Sequence, residues 1–79
     1  MKKSQIRTLL LHLAEERGPD ATFCPSDAAR RLAKDWRPLM DEVREVAATL
    51  VGEGALRCTQ KGRKVHPLTA KGAIRLGKG

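Results

Sequence analysis

At Gly54 the spacing of apolar residues changes, and that change constrains the fold of this chain more than any other feature. Residues 36–53, wound as a helix at about 100° per residue, bring Leu39, Met40, Val43, Val46, Ala47, Leu50 and Val51 to within about 70–80° of Trp36. That is one core-facing stripe, and it assigns Trp36 to the core. Asp35 is placed to cap this helix, Pro38 sits in its first turn, where a missing N–H costs nothing, and Gly52 and Gly54 end it. Beyond Gly54 the residues alternate. In ALRCTQ (55–60) Leu56 and Cys58 share one face, and Arg57 and Thr59 the other. In AIRL (73–76) Ile74 and Leu76 point in and Arg75 points out. A period of two is the mark of a half-buried strand. A chain that switches period in this way is α+β.

Two helices are expected before residue 36. Ser4 can cap the first, whose face is Ile6, Leu9, Leu10 and Leu13; Gly18 with Pro19 stops it. Leu11 lies off that face and is available to a protein partner or a second copy of the chain. Residues 18–25 form a connector with room for a very short strand at 22–24. Ser26 is placed to cap the second helix, over about 27–34, with Asp27 favourable to its N-terminal dipole. Ala28, Ala29, Leu32 and Ala33 face inward on that helix, and Arg30, Arg31 and Lys34 outward.

The expected order is helix, short strand, helix, helix, strand, basic loop (61–72), strand. That is the order of a winged helix-turn-helix: three helices followed by a β-hairpin wing, with the third helix over about 36–53 and the wing over about 55–76. The whole chain, 1–79, reads as one domain. A three-helix bundle with a loose tail would leave the alternation of both strand segments unexplained.

Charge points to a partner. Residues 1–53 carry nine bases and nine acids, whereas residues 54–79 carry seven bases and no acid, so the net charge of +7 lies wholly in the last third. A segment of one sign attracts a polyanion. Duplex DNA is the expected partner, as for a transcriptional regulator. Lys61, Arg63, Lys64 and Lys71 of the wing are placed to contact phosphates, with His66 a further contact. The start of the second helix, at Ser26, offers backbone N–H groups to a phosphate, flanked by Arg30 and Arg31. Arg37 and Arg44, on one edge of the third helix, are the candidates for base contacts.

The third helix also argues against this reading. It carries Asp41, Glu42, Glu45 and Glu53 against only Arg37 and Arg44, and carboxylates are repelled by phosphates. Surface ion pairs of small energetic value account for those charges better than direct base reading does. The alternative function is therefore a protein-interaction module that uses the same scaffold without DNA.

Other chemistries find little support. No paired carboxylates lie near a histidine, and neither GxSxG nor a phosphate-binding loop occurs, so no enzyme and no cofactor are expected. Cys24, Cys58, His12 and His66 lack zinc-finger spacing, so no metal is expected. Cys24 precedes Pro25 and Ser26 at a helix start, which leaves a redox role open for it alone. The opening MKKSQIRTLLLHLAEER has too short an apolar run, followed at once by acids, to be a leader, and no segment has membrane-spanning length. These features predict a cytoplasmic protein.

The CPSD, DWRPLM, TQKGR and IRL pieces together resemble a family of small bacterial domains of unknown function, over about residues 6–76. The resemblance implies a winged-helix-like fold and no established activity. This chain has Val65-His66-Pro67 after TQKGR, where the family pattern continues with an aspartate–proline type pair.

Overall fold

The computed structural model describes residues 2–79. It contains helix α1 (Lys3–Arg17), strand β1 (Thr22–Phe23), helix α2 (Pro25–Leu32), a 3-10 turn (Arg37–Leu39), helix α3 (Met40–Gly52), and strands β2 (Leu56–Gln60), β3 (Arg63–Lys64) and β4 (Arg75–Lys78). The strands form one antiparallel sheet in the order β1-β4-β2-β3. The chain is thus a mixed α+β structure of three helices and four strands, not three helices followed by an isolated hairpin. The early strand β1 lies in the same sheet, against β4, with Phe23 opposite Leu76.

The core is aliphatic around one aromatic residue. Ile6, Leu10, Leu13 and Ala14 of α1 and Val43, Val46, Ala47 and Leu50 of α3 meet Phe23, Leu56, Cys58, Ile74 and Leu76, and among the described residues no polar or charged one is buried. Leu11, expected to point away, is half-buried against this core. The alternation expected over 55–60 and 73–76 is present, with Leu56, Cys58, Ile74 and Leu76 buried and Arg57 and Arg75 on the other face, but the last strand runs Arg75–Lys78 rather than 73–76, and in it Leu76 and Gly77 are both buried.

Helix α2 starts earlier than its sequence suggests. Cys24, not Ser26, occupies the capping position, because Pro25 has the backbone angle of a first helical residue. The Asp27 carboxylate accepts a hydrogen bond from the Cys24 N–H at 3.1 Å, closing the first turn. Ser26 instead donates its hydroxyl to Cys24 Sγ at 3.1 Å. The helix ends at Leu32, and Ala33 is already extended.

Helix α3 starts later than expected. Arg37, Pro38 and Leu39 wind as a 3-10 turn, closed by Leu39 N–H to the Trp36 carbonyl at 3.0 Å, and the α-helix begins only at Met40. The tighter turn takes Trp36 off the stripe, leaving it half-buried against the core rather than inside it. The other end of α3 closes as a Schellman motif. The Ala55 N–H bonds the Leu50 carbonyl at 2.9 Å, the Gly54 N–H bonds the Val51 carbonyl at 3.0 Å, and Gly54 has φ 80°.

The segment expected to be one long loop is ordered. β2 turns into β3 through Lys61 and Gly62, both at positive φ (52° and 80°), with Gln60 opposite Arg63. That is a two-residue turn of type I′, whose twist matches that of antiparallel strands. Residues 66–70 make a second turn, with the Thr69 and Ala70 N–H groups both on the His66 carbonyl, and Pro67 is buried.

Candidate nucleic-acid interface

The sixteen Lys and Arg side chains of the chain sort by what they touch. Five pair with carboxylates: Lys3 with Glu45 (3.4 Å), Arg7 with Glu53 (2.6 Å), Arg17 with Asp27 (4.0 Å), Arg31 with Glu16 (3.4 Å) and Lys78 with Glu15 (2.9 Å). Arg44, Arg57 and Arg75 donate to main-chain carbonyls, and Arg30 and Arg37 lie over the Trp36 ring. Lys2, Lys34, Lys61, Arg63, Lys64 and Lys71 make no side-chain hydrogen bond or ion pair among the described residues. Four of those six belong to the segment 61–72.

Three of the four come together. Lys61, Arg63 and Lys71 line one groove of about 870 Å³, with Gln60 and Val65 beside them and no carboxylate on its walls. The strand geometry explains why Lys64 is not with them. Successive β residues point to opposite faces, and Lys64 lines a separate depression with Leu56, Arg57 and Cys58.

Two side chains that carry no free charge hold this groove in shape. Gln60 donates from Nε2 to the carbonyl of Ala73 at 3.1 Å and to that of Lys71. From α3, Arg44 donates Nη1 to the Pro67 and Ala70 carbonyls (3.2 and 3.1 Å) and Nη2 to the Gly72 carbonyl (2.7 Å). Main-chain carbonyls between β3 and β4 would otherwise require water, and the planar guanidinium fork can meet several at once. Arg57 does the same elsewhere. It lies across Gly77, where an added Cβ would stand 3.1 Å from the guanidinium, and donates to the carbonyls of Pro19 (2.8 Å) and Lys78 (3.0 Å). Arg75 ties β4 to Thr22 through the hydroxyl and the carbonyl, each at 3.0 Å.

The remaining positions singled out in the sequence are scattered. The Ser26 hydroxyl is engaged with Cys24, and the Asp27 carboxylate already occupies the start of α2, so an anion brought there would meet a like charge. Arg31 is paired with Glu16. On α3 the face opposite the core centres on Asp41, Glu45 and Ala48, with Arg44 turned to its edge and bonded to the loop. Sequence reasoning passed over Gln60 and assigned Trp36 to the core. Pro38, two residues after Trp36, is the signal that the first turn departs from an α-helix.

Electrostatic shifts lie outside the groove. The Arg7 guanidinium hydrogen-bonds the Glu53 carboxylate and holds its pKa below the ordinary value. Burial pushes the Cys58 thiol up, opposed in part by the charge of Arg44. Among the described residues no three His, Cys, Asp or Glu side chains gather as a metal cluster, and no helix is long and apolar enough to cross a membrane.

With this geometry in place, comparison with family models gives a match over residues 3–79, to the model described as a protein of unknown function, DUF3253. The chain belongs to that family. The match spans the acid-free segment with its groove as well as all three helices, so the family's domain includes every element described above. No curated protein matches the chain.

Proposed function

We propose that this chain is a duplex-DNA-binding domain of the winged helix-turn-helix kind, which grips backbone phosphates with its wing and reads little sequence. The observation that carries this reading is the groove lined by Lys61, Arg63 and Lys71, three cations that among the described residues have neither an ion pair nor an acidic neighbour on its walls. Unpaired cations held in one concave surface attract a polyanion and gain by releasing its counterions. In this reading β2, β3, β4 and the chain between them form the wing, and α2 with α3 the helix-turn-helix. Base reading by α3 is minor, since its outward positions are Asp41 and Glu45. Arg44 acts by holding the wing rather than by touching a base.

The test is fluorescence anisotropy of a labelled duplex of arbitrary sequence, titrated at several salt concentrations. The three groove contacts contribute about −3 to the slope of log K against log salt. Replacing Lys61, Arg63 and Lys71 together by Gln weakens the binding at least about tenfold and makes that slope shallower by about 3. Absence of binding near 50 mM salt, a low ionic strength at which such contacts are strong, overturns the proposal.

One observation favours a second reading, a protein-interaction module. Asp41 borders a depression of about 670 Å³ together with Met40 and Leu68, and Leu68 is 52% exposed. A surface of mixed polarity, with Asp41, Glu45 and Arg44 on its walls beside Met40 and Leu68, fits a protein partner, and this reading takes precedence if duplex DNA does not bind.

A further inference from the structure

We propose that Arg30, Trp36 and Arg37 form a second phosphate contact for duplex DNA at the turn between α2 and α3, with the indole as the plate that holds both guanidinium groups. The proposal rests on the reading of the wing as a DNA-binding surface and adds a separate point of contact to it. The guanidinium carbons of Arg30 and Arg37 each stand 4.7 Å from the centroid of the Trp36 ring. That is well inside the roughly 6 Å over which a cation is attracted to an aromatic face.

Three features make this corner a contact rather than a solvated pair of charges. First, neither arginine has a carboxylate partner among the described residues. Asp35, the adjacent acid in sequence, pairs with neither of them, whereas Arg7, Arg17 and Arg31 each have one. Second, the two charges are confined together. Twice the distance to the ring centre bounds their separation, and that bound is comparable with the screening length of about 8–10 Å at ordinary salt, so they repel one another. The aromatic face offsets part of the repulsion, and an anion would offset the rest. Third, stacking uses only the flat face of a guanidinium. Its N–H groups lie in the plane of the group and stay available to fork the oxygens of a phosphate.

The plate itself is anchored. Trp36 packs against the core, and its carbonyl is tied by the Leu39 N–H at 3.0 Å in the 3-10 turn that contains Pro38. Both arginine side chains are therefore ordered before any ligand arrives, which lowers the entropic cost of binding.

Trp36 is the single tryptophan of the chain, so its emission reports on this corner alone. The experiment titrates the full chain with duplex at about 50 mM salt, following Trp36 emission and the anisotropy of the labelled duplex together. The expected result is a saturable change in emission with the same midpoint as the anisotropy. Arg30→Gln and Arg37→Gln each weaken binding at least about threefold and make the salt slope shallower by about 1. Lys2→Gln, which removes the same formal charge at the start of α1, has a smaller effect on both. Trp36→Leu keeps both cations but removes the plate, and it weakens binding as the arginine variants do. Circular dichroism checks its fold, and the two arginine variants carry the test if that fold fails.

Duplex binding with silent Trp36 emission, and with both arginine variants behaving like Lys2→Gln, overturns this proposal and leaves the wing reading intact. No duplex binding at all overturns both. A Trp36 response to inorganic phosphate at constant ionic strength, without one to duplex, marks a site for a free anion and overturns the proposal. Tighter binding of a single strand of the same length does so as well, because the ring would then serve as a stacking surface for bases.

Discussion

Replacing Arg44 by alanine should loosen the segment between β3 and β4 and lower the stability of the whole domain. Its guanidinium makes three hydrogen bonds to carbonyls of Pro67, Ala70 and Gly72, two of them partly buried. A hydrogen bond to a charged group contributes about 1.5–3 kcal/mol. Two of the three share Nη1, and all lie near solvent, so the three do not add in full. A combined loss of about 2–3 kcal/mol is expected, since the carbonyls left behind can recover water only in part. For a domain of this size that corresponds to a fall of roughly 10–20 °C in Tm. Arg44→Lys keeps the charge but can reach about one carbonyl, so it should recover less than half of the loss. Urea denaturation of the three proteins measures the difference directly. A loss below about 0.5 kcal/mol for the alanine variant, the scale of an ordinary surface substitution, would refute the reasoning, because the carbonyls would then be as well served by water. Full recovery by lysine would refute the role of the fork and leave charge alone as the cause.

Lys61 occupies a left-handed position of a type I′ turn, which suits asparagine better, so Lys61→Asn should stabilise the fold by about 0.5–1 kcal/mol in urea denaturation. The same substitution removes a cation of the groove and should weaken duplex binding; a gain in stability with no loss in affinity would separate Lys61 from the phosphate contact. The Glu53 carboxylate has its pKa lowered by Arg7, so its contribution to stability is complete above its ordinary value of 4.5 and is lost as pH falls through the lower folded value. Glu53→Gln should therefore reduce the dependence of Tm on pH below about 4.5, and an unchanged acid limb would contradict the pairing. Cys24 is half-buried and Cys58 is 2% exposed with its thiol pushed up by burial, so iodoacetamide should label Cys24 first in the native protein and Cys58 only on unfolding, as followed by mass spectrometry. Equal labelling of both thiols would mean that β2 opens readily.

Most of the secondary structure was legible because it depends on local spacing. The stripe of Val43, Val46, Ala47 and Leu50, the alternation of Leu56 and Cys58, and the stop at Gly54 each follow from residues a few positions apart. The errors fall where one residue overrides the period. Pro25 moves the start of α2 back to Cys24, and Pro38 tightens the turn that turns Trp36 out of the core. The type I′ turn at Lys61-Gly62 was hidden because lysine is an unusual occupant of its first position.

The sequence by itself determined that the chain is α+β, which faces are apolar, and that its last third carries seven cations and no acid. Only the tertiary structure decided which of those cations remain free. Arg57, Arg75 and Lys78 are drawn into the fold by partners 15 or more residues away, while Lys61, Arg63 and Lys71 are left together in one groove. The physical reason is that most partners of these arginines are main-chain carbonyls. Every residue carries one, so such a bond leaves no mark in residue type or spacing, and only the folded path of the chain shows which carbonyl stands within reach.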